Sequence, residues 1–185
     1  MPPKVKVTKD EIIKTALSLC REMGASAINA RSVAAALGCS TQPIFSNFKS
    51  ISELCEEVAA HAFNEYLSFL DSEAKSGEYP EYKAYGMAYI RFAKEEKNLF
   101  KLLFMCDRSK EKTAPTSDFL ASVQLIMAQN GVDERTAELI HLEVWACVHG
   151  IATMLNTSFL DLDRAFISDM LTDVYLGVKK RHLEK

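Results

Sequence analysis

ARSVAAALGCSTQPIFSNFKSISEL, residues 30–54, decides how the chain is read. Val33, Ala34 and Leu37 recur at the spacing of one helical face, and Asn29 stands before them as a cap. Gly38 offers left-handed backbone without a Cβ penalty. Ser40 is placed to cap a second short helix, about 41–47, and Pro43 falls in its first turn, where no intrahelical N–H bond is yet required. Phe45 and Phe48 follow on that helix. Two short helices around a glycine turn outline a helix-turn-helix, a motif that places its second helix in the major groove of DNA.

Upstream, Thr8 and Glu11 form a capping box for a helix over 8–23, and Gly24 ends it. Its inward face is Ile12, Ile13, Ala16, Leu17, Cys20 and Met23. Downstream, Ser50 caps a helix over 51–74 with Leu54, Val58, Phe63, Leu67 and Leu70 on its apolar face. Further helices are expected over about 80–93, 98–106, 116–130, 134–156 and 163–181, the last capped by Asp161 or Asp163. The polar stretch 107–115 reads as a loop. With 7 Gly and 5 Pro punctuating 185 residues, and no strand alternation, the expected fold is all-α with about nine helices. An N-terminal DNA-binding domain is expected over 1–54 and a ligand-binding and dimerisation domain over 55–185.

Composition excludes several classes. A hydrophobic share of 48% with a net charge of −3 is that of a folded chain rather than a disordered one. Five scattered cysteines without a CxxC pair give neither a disulfide framework nor a zinc site. Residues 1–11 lack the apolar core of a signal peptide, and the longest apolar run, 144–155, is too short for a bilayer, so a cytoplasmic protein with no membrane partner is expected. Residues 1–54 carry Lys4, Lys6, Lys9, Lys14, Arg21, Arg31 and Lys49 against Asp10, Glu11, Glu22 and Glu53; the remainder is acidic. A basic head on an acidic body fits a nucleic-acid-binding head and a regulatory body.

The head resembles the TetR family of transcriptional regulators. The matching residues are Gly24, Val33-Ala34, Leu37-Gly38-Cys39-Ser40, Ile44-Phe45, Phe48-Lys49-Ser50 and Glu53-Leu54. Three positions depart from the family pattern: Phe45 stands for a tyrosine whose hydroxyl commonly meets a phosphate, Ile51 for a lysine that also contacts the backbone, and Cys39 for a valine. The tail is similar to a TetR C-terminal subfamily with a Trp-His-Gly signature, carried here by Trp145, His149 and Gly150, with supporting blocks at 89–94 and 99–104. The resemblance implies a ligand-sensing, dimerising helical bundle and names no effector.

Groove geometry assigns roles in the head. Residues at the start of a recognition helix face base edges, here Thr41, Gln42 and Pro43, with the capping Ser40 before them also expected at the DNA. Gln42 can pair bidentately with adenine, and Thr41 can meet a thymine methyl. Arg31, Phe45, Asn47 and Lys49 flank the groove, with Arg31, Asn47 and Lys49 on phosphates; Lys4, Lys6 and Lys9 form a basic arm whose alternative is a solvated tail.

In the body, a helix apolar on all sides over 144–155 must be buried on all sides. Ala146, Gly150 and Thr153, with Phe166, Met170 and Val174 on the last helix, predict a four-helix homodimer interface; the alternative is the central helix of a monomer. Tyr89, Phe92, Phe100, Phe104, Met127, Trp145 and His149 are the expected lining of a pocket for a small apolar or aromatic effector, with His141, His149 and Arg91 able to hold an anionic group; equally, these aromatics are core. His141 and His149 lie two turns apart and cannot chelate one ion, so no metal and no cofactor is expected.

The expected function is a ligand-responsive, homodimeric DNA-binding regulator, a repressor acting on an inverted-repeat operator, and not an enzyme, since no nucleophile elbow, phosphate loop or metal spacing occurs. The alternatives are a helical scaffold whose head has lost DNA binding, an enzyme or carrier using the apolar bundle, and a redox sensor acting through Cys39 beside the recognition helix.

Overall fold

A computed structural model of the protein describes residues 7–107 and 115–183. They form nine α-helices and no strand: α1 Lys9–Met23, α2 Ala30–Ala36, α3 Gln42–Asn47, α4 Ile51–Ser76, α5 Glu81–Glu95, α6 Lys97–Phe104, α7 Ser117–Asn130, α8 Glu134–Asn156 and α9 Arg164–Leu183. A 3₁₀ turn, Ala25–Ala27, sits between α1 and α2. None of these helices is long and apolar enough to cross a membrane. The expected arm residues Lys4 and Lys6 lie outside the described residues.

The chain divides into two compact units. The first is Met1–Glu65 with Glu96–Asp107, and the second is Tyr66–Glu95 with Arg108–Lys185. The expected boundary after residue 54 therefore falls inside α4, whose turns are shared between the units, and α6 belongs with the head.

In the first unit, the capping box forms as its sequence requires. The Thr8 hydroxyl accepts from the Glu11 N–H at 3.2 Å, and the Glu11 carboxylate accepts from the Thr8 N–H at 2.8 Å. Ile12, Ile13, Ala16, Leu17 and Cys20 are buried, while Met23 is exposed because α1 is at its last turn there. α1 packs on α2, α3 and α6, and α6 contributes the fully buried Leu99 and Phe100. The end of α1 is tied to α6 by polar contacts: Arg21 Nε donates to Glu96 at 2.9 Å, its other arm pairs with Glu65, and Asn98 donates to the Arg21 carbonyl at 2.9 Å.

The turn between α2 and α3 follows its glycine. Asn29 caps α2 by accepting from Ser32 N–H at 3.0 Å, and Gly38 adopts φ +64°. Ser40 does not cap α3. Thr41 holds that position with backbone near the α region and no side-chain cap bond, since Pro43 already removes one of the first-turn donors. Ser50 caps α4, accepting from Glu53 N–H at 3.2 Å, while the Glu53 carboxylate reaches back past the cap to Lys49 N–H at 2.7 Å. The buried face of α4 is Leu54, Val58, Ala62, Tyr66 and Leu70, a strict four-residue stripe; Phe63 and Leu67 flank it half-buried.

In the second unit, α5 is the centre. It packs against α7, α8 and α9 and buries Tyr82, Ala84, Met87, Ala88, Tyr89, Ile90, Phe92 and Ala93. Gly86 permits this closeness: a Cβ there would stand 3.1 Å from Leu171 Cδ1 on α9. The buried Glu73 carboxylate is held by Arg91 at 2.7 Å and by Arg164, which also reaches Glu78 at 2.6 Å. Asp163 caps α9, accepting from Phe166 N–H at 2.8 Å, and Asp133 caps α8 in the same way from Thr136.

In the single chain α8 is covered on one side only. Leu139, Leu142 and Trp145 are 44%, 47% and 39% exposed, because α5, α7 and α9 cover only the side bearing Ala137, Ile140, Val144, Val148 and Ile151.

Replacing Gly38 tests the turn. An added Cβ meets nothing within 4 Å, so only the left-handed backbone is penalised. Gly38→Ala should cost about 1–2 kcal/mol in urea denaturation, and Gly38→Asn clearly less, since asparagine tolerates this conformation.

Candidate DNA-contact face and effector groove

The packing of α3 decides what it can present. Ile44 is buried against the first unit's core, as is Phe48 just past the helix end, so α3 turns Gln42, Phe45 and Ser46 to solvent. These three share one face at three- and four-residue steps, and Lys49 beyond the extended Phe48, Ser40 and Arg31 are exposed as well. Thr41 and Pro43 are half-buried at the start of the helix. Phe45 is 54% exposed, a large apolar ring on an otherwise polar face.

Two expected phosphate ligands are differently engaged. Asn47 is half-buried and its amide donates to the Pro43 carbonyl at 2.7 Å, so it braces α3. Lys9 is no mobile arm: it opens α1, pairs with Glu57 at 2.5 Å and lies 5.3 Å above the Phe48 ring. Sequence reasoning passed over Ser46, whose hydroxyl donates to the Gln42 carbonyl at 2.9 Å; the four-residue step from Gln42 was the signal.

The expected pocket residues are divided between the two units. Phe100 and Phe104 sit together on α6 in the first unit, ring centroids 5.3 Å apart, whereas Tyr89, Phe92, Met127, Trp145 and His149 belong to the second. Phe92 is fully buried core and Met127 half-buried on α7. Tyr89 hydrogen-bonds His149 Nδ1 at 2.8 Å, and Trp145 stacks on His149 at 5.0 Å. Arg91, offered as an anion site, is engaged by Glu73.

The second unit instead carries an open groove of about 470 Å³ between α4, α5 and α7. Leu67, Leu70 and Ala74 form one wall, Tyr85 and Glu81 a second, and Ser117, Asp118 and Ala121 a third, with Asp71 and Lys75 at the edge. The Tyr66 hydroxyl, buried beside it, donates to Asp118 at 3.0 Å. Tyr66 also packs its ring on Tyr89 at 5.9 Å and Phe92 at 5.5 Å. The expected aromatic set thus adjoins the groove through Tyr66 rather than lining it.

Titration favours neutral partners here. Burial raises Tyr66, Tyr82 and Tyr89 above the ordinary tyrosine value and lowers His149. Burial likewise holds the Cys20, Cys55 and Cys147 thiols above their usual range, the opposite of an activated thiol. Among the described residues no group of three or more His, Cys, Asp or Glu side chains could hold a metal ion.

Ala146 and Phe166 are exposed, and Gly150, Thr153, Met170 and Val174 half-buried, so the six expected interface positions remain uncovered or partly covered in one chain. A Cβ added at Gly150 meets nothing within 4 Å.

A sequence profile described as Tetracyclin repressor-like, C-terminal domain, matches residues 82–174, which is half the chain. No curated protein matches it.

His141, inside that span, is buried and hydrogen-bonded to Tyr82 at 3.1 Å. Burial lowers it from 6.5 to about 4, against an opposing pull from the Asp118 charge. The native state therefore refuses a proton that the unfolded chain accepts. The resulting stabilisation is complete above pH 6.5 and is lost as pH falls toward 4, up to about 3 kcal/mol. His141→Gln should flatten the fall in melting temperature between pH 6.5 and 4, leaving the slope that His149 and the carboxylates held below their ordinary values contribute.

Proposed function

The chain belongs to the Tetracyclin repressor-like family, and on that premise we propose that it is a ligand-responsive transcriptional repressor that binds an inverted-repeat operator as a homodimer. The observation that carries the DNA-binding half is the exposed α3 face behind a formed glycine turn. Gln42, with Thr41 and Pro43, reads base edges; Ser40, Arg31 and Lys49 hold phosphates; Phe45 lies on sugars or thymine methyls where a tyrosine would have met phosphate. Asn47 acts through α3 rather than on DNA. The DNA-contacting part is residues 1–54 and the sensing and dimerising part residues 55–185, in a cytoplasmic protein. The tail is of the Trp-His-Gly kind.

Dimerisation uses the uncovered apolar side of α8 and α9. Leu139, Leu142, Trp145 and Ala146 on α8, with Phe166, Met170 and Val174 on α9, are a stripe that a single chain leaves to water. Gly150 and Thr153 allow a second α8 to approach closely.

The effector, a small molecule with an apolar or aromatic body, binds in the α4–α5–α7 groove. That groove and the DNA-contacting unit share α4, which is unbroken over Ile51–Ser76. A ligand pressing on Leu67, Leu70 and Ala74 biases the helix whose first turn follows α3. From the same groove, the contacts Asp118–Tyr66–Tyr89–His149–Trp145 run to the exposed face of α8. Ligand binding thereby changes how two recognition helices are spaced on successive major grooves.

Selection of bound duplexes from a random library should return an inverted repeat. Gln42→Ala should relax preference at one base position per half-site, at about 1–3 kcal/mol, and Lys49→Ala should weaken all sequences alike and reduce the salt slope by about 1. No enrichment of any sequence would sink the DNA-binding reading in favour of a scaffold. For the interface, Phe166→Glu places a charge on a side chain 54% exposed in the single chain, so folding should be spared. Light scattering should show monomers with unchanged helix content and reduced operator affinity; a variant that stays dimeric removes α9 from the interface.

A further inference from the structure

The groove's charge defines its ligand more narrowly than its apolar walls do. Among the described residues that line it, the carboxylates are Asp71, Glu81 and Asp118, and the one cation is Lys75. Lys75 is engaged by Asp71 one turn earlier at 2.7 Å, and Glu81 accepts the Tyr85 hydroxyl at 2.8 Å. Asp118 is different. Its Oδ2 accepts from Tyr66, but its Oδ1 is buried without a hydrogen-bond partner. A buried carboxylate oxygen lacking a donor is an expensive arrangement, and a native structure retains one where something else satisfies it. The charge is felt beyond the groove, since Asp118 raises Tyr66 and Tyr89 and opposes the lowering of His141.

We propose that the groove takes a ligand with an apolar body and a cationic head, an ammonium, amidinium or guanidinium group whose N–H donates to Asp118 Oδ1. The body lies on Leu67, Leu70, Ala74 and Ala121, and the Tyr85 ring in the wall adds a face suited to a cation. This rests on reading the groove as the effector site. It replaces the expectation of an anionic group, for which the described lining residues offer no cation beyond Lys75, already engaged by Asp71.

Full-length protein is titrated calorimetrically with three probes that share one body: 4-phenylbutylammonium, 4-phenylbutanol and 4-phenylbutyrate. The ammonium should bind at least tenfold more tightly than the alcohol, and the carboxylate weakest. Asp118→Asn keeps size and the ability to accept from Tyr66, so it should fold as the parent and bring the ammonium-to-alcohol ratio close to one. Ala121→Phe on α7 and, independently, Ala74→Phe on α4 fill the groove and should abolish binding of all three. Equal affinities for ammonium and alcohol, with both filling variants blocking, overturn the charge assignment and leave the groove as the effector site. An ammonium preference that survives Asp118→Asn also overturns it, because the cation is then held elsewhere. Binding that survives both filling variants, or no binding of any probe at millimolar concentration, overturns the groove reading itself.

Discussion

Burying a polar side chain costs free energy unless it finds a partner, and the polar side chains of α5 show how that constraint ties the second unit together. Tyr82 and Tyr89 are buried, so Tyr82 meets His141 and Tyr89 meets His149 on α8. Its last buried carbonyl, that of Ala93, accepts from Asn156 at 3.0 Å, which fixes the end of α8 beside it. Arg91 turns to Glu73, and Glu73 recruits Arg164, joining α4, α5 and the start of α9 through one buried carboxylate. The histidines are therefore neutral structural partners, and α8 is oriented by hydrogen bonds as well as by apolar packing.

Much of this was legible locally. Capping boxes, the Gly38 turn and the Gly131 stop, with φ +64° at each glycine, are short-range chemistry, and they set most helix ends within a residue or two. The α4 face was harder. Leu54, Val58, Phe63, Leu67 and Leu70 satisfy a helical period, but so does the stripe through Ala62 and Tyr66 that is actually buried, and only tertiary packing decides between two faces about one residue apart. Ser40 was misread because a serine before a proline-bearing turn looks like a cap whichever residue opens the helix.

The candidate sites divide along the same line. The α3 face follows from burying Ile44 and Phe48, so its exposed residues could be read from spacing alone. The groove between α4, α5 and α7 could not. Aromatic supply pointed to Phe100 and Phe104, yet these complete the core of the first unit against α1, where α6 returns after α5. The residues that do line the groove, Leu67, Tyr85, Asp118 and Ala121, are unremarkable one by one. They come from three helices, of which α7 is distant in sequence from α4 and α5, and no spacing rule joins them.

What links sensing to the rest of the molecule is then a matter of which contacts can change together. The Asp118 carboxylate holds Tyr66, and Tyr66 is packed edge-on to Tyr89. Tyr89 holds His149, whose ring lies flat on Trp145 at an interplanar angle of 19°. Each contact is directional, so a donor arriving at Asp118 changes the competition for its oxygens, and the side chains behind it must re-pack as a set rather than relax singly. Trp145 ends that series on the uncovered side of α8, while Leu70 and Ala74 stand on α4 at its beginning. One groove thus touches both α4, which continues into the first unit, and the residues that lead to the uncovered apolar face, which is the minimum that the proposed coupling of a ligand to a dimer on DNA requires.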